Sequence, residues 1–478
     1  MKKLFTIIFA LIALSAYAKY NFAEHSVLKE GNWIKIAVKE TGIHKITYQQ
    51  LKDMGINNPA NVHIYGYGGE ILEENFAAGL ELYKDDLPEN AIYFHKGADG
   101  IFNDNDYILF YAQGTVKITY NESKEKYSHT INPYSNYGYY FITENSEPNK
   151  TISDAVYDLP PIPMTVTETL NYYYVDKEEF NLINSGRMWI GDKFDSKKTQ
   201  RTYTFNIPNR IKNEYINFNL RAVGVSSLQN TLEVDVDSEQ SFNIPLYGTQ
   251  DFHQGGTEGN INSTFRLNNN SDNINVNVNF NYNTTKAEAY IDYISINARR
   301  ELITDGSEPL IISYPGYYYP YVTANYKLTS TNKQLFIWEV TDPQNVLNVT
   351  PTITETGYNF SSPYDMERTF IAFDPNIDYP TISSYSSVKN QDLHALENID
   401  VIIISDSKLV NAAEELGKFH KNHDGLSYKV LTTQPIYNEF SSGTPDATAY
   451  RMFMKMLYDK AKGVVTAQPK SLLLLGDG

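Results

Sequence analysis

The segment from residue 391 to residue 478 constrains the fold most, because short buried strands alternate there with helices. Asp400–Ser405 is a continuous apolar run with β-branched residues, a pattern typical of a strand that is buried on both faces. Tyr428–Thr432 and Leu472–Leu475 have the same character. This alternation predicts an α/β block built on a parallel sheet of three strands.

Two helices are predicted between these strands. The first has apolar residues at helical spacing from Leu409 to Phe419 and should end near Gly425. The second should open at Thr444–Asp446, where a capping residue precedes a proline and an acid. Its apolar stripe is Ala447, Tyr450, Met454, Leu457 and Ala461. Three parallel strands are too few to cover themselves, so we expect the chain to be a fragment in which an α/β domain only begins.

The composition is that of a globular protein, and it excludes every site that needs a cysteine. Hydrophobic residues make up 41% of the 478 residues and charged residues 20%, which is typical of a folded chain. The net charge of −17 argues against nucleic acid as a partner. Because the sequence has no cysteine, these residues can form neither a disulfide nor a thiolate metal site, and they contain no cysteine nucleophile.

The N-terminus has the pattern of an export signal. Lys2 and Lys3 precede an apolar run, Leu4–Leu14, and Ala16–Ala18 fits the small-residue cleavage pattern. The run is shorter than the roughly 20 residues that a membrane-spanning helix needs. We therefore expect residues 1–18 to be a signal peptide cleaved after Ala18, and the mature protein to be exported.

The remainder of the chain is predicted to be rich in β-strands. We expect a β-rich N-terminal domain at 19–158, and an antiparallel β-sandwich-like domain at 168–300 because apolar and polar residues alternate there with period two. A further β-rich region is predicted at 301–390, before the α/β block at 391–478. The proline-dense stretch Leu159–Pro163 is predicted to be an extended linker.

Two loops carry residues that could bind ligands. Gly66–Gly69 follows a strand, but a phosphate loop needs a third glycine and a following helix, so a tight turn is the better interpretation. Asp99, Asn103 and the run Asp104–Asp106 could form a calcium loop, although Asx-rich turns have the same composition. No cofactor is expected, with calcium at this loop as the alternative.

Four other residues could belong to a functional site. His420 and His423 are spaced to bind a metal, but they lie at a predicted helix end where a polar side chain is favoured, so no metal site is predicted. Gly476 and Asp477 directly follow the third buried strand. In open parallel sheets ligands bind past the carboxyl ends of the strands, so these two residues either form the wall of an active site or belong to an ordinary turn.

Short motifs spread over the chain resemble a known family, the gingipain-like cysteine peptidases. Among these, the resemblance is to the cell-surface sortases of the type IX secretion system in Bacteroidota. It rests on these segments: Tyr65–Gly69, Asp106–Tyr111, Asn132–Gly138, Ser185–Trp189, Tyr290–Tyr293, Trp338–Pro343, Asn390–His394, Glu439–Gly443 and Leu472–Gly478.

The resemblance implies a fold, a chemistry and a set of partners. The fold would be multidomain, with β-rich N-terminal regions before the start of an α/β caspase-like (gingipain-type) domain. Such enzymes cleave C-terminal sorting domains from secreted cargo proteins and transfer the cargo to anionic lipopolysaccharide. They use a His–Cys dyad that follows the strand at Leu472–Leu475, so no catalytic residue can be carried over to this chain, which should be inactive. Further implied partners are outer-membrane components of the secretion system.

A binding protein without catalysis is the alternative. The β-rich regions could form a surface recognition or adhesion protein in which the α/β block is incidental. A histidine and a cysteine at successive strand ends beyond residue 478 would favour the peptidase. Further β modules without them would favour the binding protein.

Overall fold

The computed structural model describes residues 22–76, 83–184, 186–249 and 255–476. The predicted signal peptide at 1–18 and the candidate residue Asp477 lie outside the described residues. Within the described part, no helix is both long and apolar enough to cross a membrane. The chain divides into two compact units. Unit 1 combines the segment up to Val116 with Tyr134–Thr151 and the segment from Tyr379 onward, and unit 2 combines Lys117–Pro133 with Ile152–Asp378.

Strands dominate both units. In the described residues they are β1 Trp33–Val38, β2 Gly42–Thr47, β3 Val62–Tyr65, β4 Tyr93–His95, β5 Tyr107–Ala112, β6 Val116–Asn121, β7 Lys126–Ile131, β8 Gly138–Glu144, β9 Ser153–Asp154, β10 Ile162–Val166, β11 Glu168–Asp176, β12 Gly191–Phe194, β13 Gln200–Asn206, β14 Tyr215–Val225, β15 Asn230–Val236, β16 Gln240–Leu246, β17 Thr257–Arg266, β18 Asn273–Asn281, β19 Glu288–Glu301, β20 Leu310–Ser313, β21 Val322–Thr329, β22 Phe336–Glu339, β23 Leu347–Asn348, β24 Thr352–Ile353, β25 Gly357–Pro363, β26 Thr369–Phe373, β27 Ser384–Val388, β28 Val401–Ser405, β29 Tyr428–Thr432 and β30 Ser471–Leu475.

Four α-helices accompany these strands in the described residues: α1 Tyr48–Asp53, α2 Val410–Asp424, α3 Thr433–Phe440 and α4 Thr448–Lys460. Short 3₁₀ helices lie at Val27–Lys29, Pro59–Asn61, Ser407–Leu409 and Val465–Ala467. Helix α1 begins with a capping box, in which the Thr47 side chain accepts from the Gln50 N–H and the Gln50 side chain accepts from the Thr47 N–H.

Unit 1 contains three sheets. An antiparallel sheet has the order β27-β1-β8-β3, and a smaller one has the order β2-β5-β4. Both contribute to one core, in which Ile36, Ile64, Phe110 and Tyr140 are fully buried. The third sheet is parallel and has the order β29-β28-β30.

Strand β28 shows why a continuous apolar run was needed. Val401 and Ile403 pack with Ala413 of α2 on one face of the sheet. Ile402 and Ile404 pack on the opposite face, in a core that α3 and α4 complete. Because alternate side chains point to opposite faces, a strand covered by helices on both faces must be apolar at every position. The predicted α/β arrangement is confirmed, but the third strand is not buried as predicted. Leu472, Leu473 and Leu474 of β30 are exposed at the edge of the sheet.

The helical predictions are partly wrong. Helix α2 ends at Gly425, whose φ of +69° gives the left-handed helix end that was expected. Helix α4 begins at Thr448 instead of at Thr444–Asp446, so Pro445 precedes the helix, and Asp446 accepts the Thr448 N–H at 2.7 Å. Its buried face is also rotated from the predicted stripe and consists of Thr448, Ala449, Met452, Phe453, Met456 and Leu457.

In the described residues, unit 2 consists of two pairs of sheets and most of the β6–β7 hairpin. The sheet β11-β19-β14-β17, with β12 beside β19, shares a core with β13-β18-β15-β16, to which Ile274, Val276, Val278 and Phe280 contribute. A second core lies between β10-β21-β25-β24 and β20-β26-β22-β23-β9. The predicted linker is wrong at its end, because Ile162 and Pro163 begin β10, which pairs in parallel with β21. Strand β10 lies at a sheet edge, where a proline is tolerated.

Candidate functional site

The carboxyl ends of the three parallel strands meet at one edge of their sheet. Ser405 at the end of β28 is level with Thr432 on one side and Leu475 on the other. Asp406 follows, and its carboxylate accepts the Lys408 N–H at 2.8 Å, which caps the next turn. This edge is where an open parallel sheet places its ligands.

Gly476 lies at this edge, as predicted, and is exposed. No atom lies within 4 Å of the position that a Cβ would take there, so the described residues do not crowd the glycine. Asp477 lies outside the described residues. The Ser405 hydroxyl donates to the backbone oxygen of Asp406 at 3.2 Å. The described part of this edge thus presents backbone, hydroxyl and carboxylate groups and no imidazole.

His420 and His423 lie at the end of α2. Nδ1 of His420 is 2.7 Å and Nδ1 of His423 is 2.8 Å from carboxylate oxygens of Asp424. The hydrogen bond with His423, followed by that with His420, holds the pKa of Asp424 below its usual value. The pair therefore belongs to a polar helix end, as the sequence indicated.

The Asp99–Asp106 loop is held by its own backbone and side chains. Asp99 accepts from the Ile101 N–H at 2.9 Å and from the Asn103 side-chain amide at 3.0 Å. Asp106 accepts the Asn103 N–H at 2.8 Å, and Asn105 has a φ of +77°. These are the hydrogen bonds of Asx turns. Calcium binding at this loop stays an untested alternative to the prediction of no cofactor.

A buried cluster of charged side chains lies elsewhere in unit 1. The ring of His394 is fully buried, with Nδ1 2.6 Å from Oε2 of Glu439 and Nε2 3.0 Å from Oδ1 of Asp85. Burial lowers the pKa of His394, but the hydrogen bonds to Asp85 and Glu439 outweigh this effect and raise the pKa to about 9. The ring is therefore an imidazolium at neutral pH.

The hydrogen bonds of these carboxylates connect separate segments of the chain. Glu439 of α3 accepts the Leu393 N–H at 2.8 Å. Asp86, which is also buried, accepts the Ser26 hydroxyl at 2.8 Å and the Val27 N–H at 2.6 Å. Burial raises the pKa of Asp86 to about 6. The cluster thus fastens the N-terminal segment and residues 85–86 to the beginning of the α/β block.

The same side chains have the composition of a metal site. Ligand atoms of Asp86, His394 and Glu439 all lie within 4.8 Å of one another. Both ring nitrogens of His394 already lie within hydrogen-bond distance of carboxylate oxygens, however, so a metal ion would have to displace a proton from the ring and the hydrogen bond it makes. The geometry fits a proton shared in a charge cluster better than it fits a bound metal.

The sequence analysis did not identify this cluster. His394 and Glu439 are 45 residues apart, and His394 and Asp85 are 309 residues apart. One signal in the sequence could have pointed to the cluster. Glu439 lies among apolar residues of a short helix, and a carboxylate in such a place is expected to have a buried partner.

The Gly66–Gly69 loop is a docking surface for the turn Ser441–Asp446. The Tyr67 N–H donates to Oγ of Ser442 at 2.9 Å, and the Thr444 hydroxyl donates to the backbone oxygen of Gly68 at 3.0 Å. Gly66 has a φ of +118°, and a Cβ there would lie 2.6 Å from Oγ of Ser442. The predicted tight turn therefore needs glycine for close approach as well as for its backbone conformation.

Comparison with known proteins gives a family for the end of the chain. Residues 394–478 match Peptidase family C25. No curated protein sequence matches the chain. The matched segment begins at His394 and contains the parallel sheet, the turn Ser441–Asp446 and Gly476.

Solved structures extend the likeness over almost the whole chain. Latent PorU from Porphyromonas gingivalis, a dimer in its crystal structure, matches with a TM-score of 0.79 and 25% sequence identity, over 95% of this chain and 42% of PorU. The chain thus spans about two fifths of the length of that protein.

Carbohydrate-binding modules also match part of the chain. The CBM36-1 domain of a xylanase from the hindgut metagenome of Trinervitermes trinervoides has a TM-score of 0.16 and 17% identity, over 27% of this chain and 95% of the module. A CBM36 module in complex with calcium and xylotriose has a TM-score of 0.17 and 12% identity, over 27% of this chain and 99% of the module. These scores are too low to carry an argument. The matches to family C25 and to PorU agree with each other: residues 394–478 are similar to peptidase family C25, and the chain is similar in fold to PorU.

Proposed function

We propose that the protein containing this chain is a cell-surface sortase of the type IX secretion system, which cleaves C-terminal sorting domains from secreted cargo proteins. One observation carries the proposal. Three parallel strands end level with one another at an edge next to Gly476, inside the segment that matches Peptidase family C25. Open parallel sheets perform their chemistry at that edge.

The proposed chemistry is that of a cysteine peptidase. An imidazole assists a thiolate, which attacks the scissile carbonyl and forms an acyl-enzyme. An acceptor on anionic lipopolysaccharide then takes the acyl group. Because the 478 residues contain no cysteine, the proposal places the thiol beyond Gly478 and gives Gly476 and Asp477 the role of active-site wall.

The β-rich part of unit 1 would support the α/β block. Unit 1 joins the N-terminal β-strands to the segment from Tyr379 onward, and the His394 cluster and the Ser441–Asp446 turn supply the polar contacts. Rigid elements position a reactive edge better than mobile ones do. We propose that the protein is exported and held at the outer membrane by secretion-system components.

Thiol chemistry gives the sharpest test. We expect the full-length protein to lose its activity on a sorting-domain substrate after alkylation with iodoacetamide, because the thiolate is the nucleophile. Replacing one downstream Cys by Ala should lower kcat by several powers of ten. The readout is cleavage of a purified cargo protein, followed by mass spectrometry.

The chain of residues 19–478 is the matched control. It should neither cleave the substrate nor react with iodoacetamide, because it has no thiol. Turnover by this chain, or full activity of the longer protein after complete alkylation, would show that the cysteine-peptidase assignment is wrong.

A further inference from the structure

A polar cleft of about 520 Å³ lies in unit 1 beside strand β27. Its walls are residues Ser384–Lys389, the side of β1 that carries Lys35, Tyr139 of β8, and the start of α3 with Gln434 and Asn438. This volume is within the usual range for ligand sites. None of the described residues that line the cleft is a carboxylate.

Two lysines, Lys35 and Lys389, line the cleft. Lys35 is partly buried, donates from Nζ to the backbone oxygen of Gly443 at 2.5 Å, and lies 3.9 Å from the centre of the Tyr139 ring. Burial lowers the pKa of Lys35 to about 7, since no carboxylate offsets the loss of water. Lys389 is exposed at the other end of the wall. In a chain with a net charge of −17, such a cleft selects for anionic groups.

Strand β27 lines the cleft and is an edge strand of its sheet. It pairs with β1 on one side, and no other described strand pairs with it. Natural sheets commonly protect an edge with a charge, a proline or a bulge inside the strand. The five residues Ser-Tyr-Ser-Ser-Val of β27 contain no charge and no proline, and they pair with β1 in unbroken register.

We propose that this cleft binds an extended acidic peptide segment, which adds to the edge of β27 as a further strand and places its carboxylates near Lys35 and Lys389. Strand addition supplies main-chain hydrogen bonds, and the lysines supply the preference for acidic side chains. Charge complementarity identifies the occupant. The cleft reaches Thr432 at the carboxyl end of β29, which is two strands away from the Gly476 end of β30. The proposal does not depend on peptidase activity.

Fluorescence anisotropy with the full chain tests the proposal. The probe is a fluorescein-labelled peptide of eight residues in which valine and glutamate alternate. We expect saturable binding that weakens at least fivefold when NaCl is raised from 50 to 500 mM, because exposed charge pairs are screened. A peptide with glutamine for glutamate should bind at least fivefold more weakly, and so should one with prolines for alternate valines, since proline cannot donate to a ladder.

Two lysine variants distinguish binding in this cleft from a general electrostatic attraction between the peptide and the protein. Lys389→Glu should weaken binding at least fivefold, whereas Lys124→Glu, which reverses an exposed lysine in unit 2, should leave it unchanged. Both variants change the net charge equally, and neither alters a buried residue. Lys35→Met should also weaken binding, with circular dichroism as the control for folding.

Three results would overturn the proposal. They are equal binding of the proline peptide, equal binding of the glutamine peptide, and equal effects of Lys389→Glu and Lys124→Glu. A concentration-dependent dimer in sedimentation velocity that is unaffected by Lys124→Glu and disrupted by the valine–glutamate peptide would assign the edge to a second copy of the chain instead.

Discussion

His394 has its charge fixed by its surroundings. Its carboxylate partners come from distant segments, and its pKa lies at about 9 instead of the usual 6.5. The native state therefore retains a proton that the unfolded chain releases between these two pH values. Its contribution to stability is complete below about pH 6.5 and is lost as the pH rises through about 9. Burial raises the pKa of Asp86 to about 6, so the contribution of its proton to stability is also lost as the pH rises, but at lower pH, through about 6.

We expect the α/β block to loosen as the pH is raised from 6.5 to 9. The shift of His394 corresponds to about 3 kcal/mol of local stability, by the standard conversion of a pKa difference. Hydrogen exchange of peptides covering 391–396 and 436–440, corrected for intrinsic exchange rates, measures this change. His394→Gln should remove most of the pH dependence and destabilise the block by about 3–5 kcal/mol, because it leaves Glu439 buried without a cation.

The matched control for this experiment is His423→Gln. His423 is exposed at the end of α2 and contacts Asp424. It should preserve the pH dependence of exchange in both peptides. An identical pH profile in wild type and His394→Gln would contradict the assigned role of the cluster.

Substitution of Gly66 tests whether the turn Ser441–Asp446 needs close approach to the Gly66–Gly69 loop. Gly66→Ala must both strain a φ of +118° and push a Cβ against Ser442, so we expect a loss of about 2–4 kcal/mol. Gly55→Ala is the matched control, because Gly55 has a φ of +93° with nothing within 4 Å of a Cβ. Urea unfolding of unit 1 should show a loss of only about 1–2 kcal/mol for Gly55→Ala. Equal losses would mean that packing against Ser442 contributes nothing.

At the scale of elements, buried strands could be predicted and one helix could not. Strand β29 has the bounds that its pattern indicated, and β28 and β30 each begin within one residue of theirs, because period and β-branching are local signals. Helix α3 was missed, since it has eight residues with a proline among them and lacks a long apolar period. The predicted stripe of α4 was rotated because Phe453 and Met456 are also apolar, and only the surrounding core selects between the two faces.

The α/β block draws part of its core from outside its own sequence, and this leads to a prediction. Phe22 and Tyr83 belong to the same buried cluster as Ile402, Phe440 and Phe453. We expect residues 391–478 expressed alone to be insoluble, because they would lose these contacts and leave Nε2 of His394 without its partner Asp85.

An exposed edge strengthens this expectation. Leu474 of β30 is 58% exposed, so the separate block would present an apolar strand as well as an uncovered core. Size-exclusion chromatography and a thermal scan measure the outcome, with the chain 19–478 as the control. A soluble monomer of 391–478 with a cooperative transition would refute this prediction.

At the scale of the whole molecule, the order of segments in space could not be predicted from the sequence. Strand β27 falls in the predicted region 301–390 but pairs with β1, so that Lys35 lies opposite Ser386. The β6–β7 hairpin falls in the predicted region 19–158 but belongs largely to unit 2. Period and composition report which face of an element is buried, and they contain no information about which distant element covers it.

The same long-range packing gives different expected roles to the two parts of the N-terminus. Residues 1–18 are the predicted signal peptide, whereas Phe22 and Leu28 are buried in cores of unit 1 and Ser26 contacts Asp86. We expect a protein that begins at Lys19 to be fully folded. A protein that begins at Glu30 should lose several kcal/mol, since each large buried side chain contributes about 2–5 kcal/mol.

The two truncations are compared by soluble yield and by the urea midpoint of unit 1. The protein that begins at Lys19 is the control for the loss of residues as such, because it lacks only the segment that export would remove. Double substitution of Phe22 and Leu28 by Ala in that protein should reproduce most of the loss, because burial of these two side chains is the stated cause. If the protein that begins at Glu30 has the same midpoint as the one that begins at Lys19, the N-terminal segment does not stabilise unit 1.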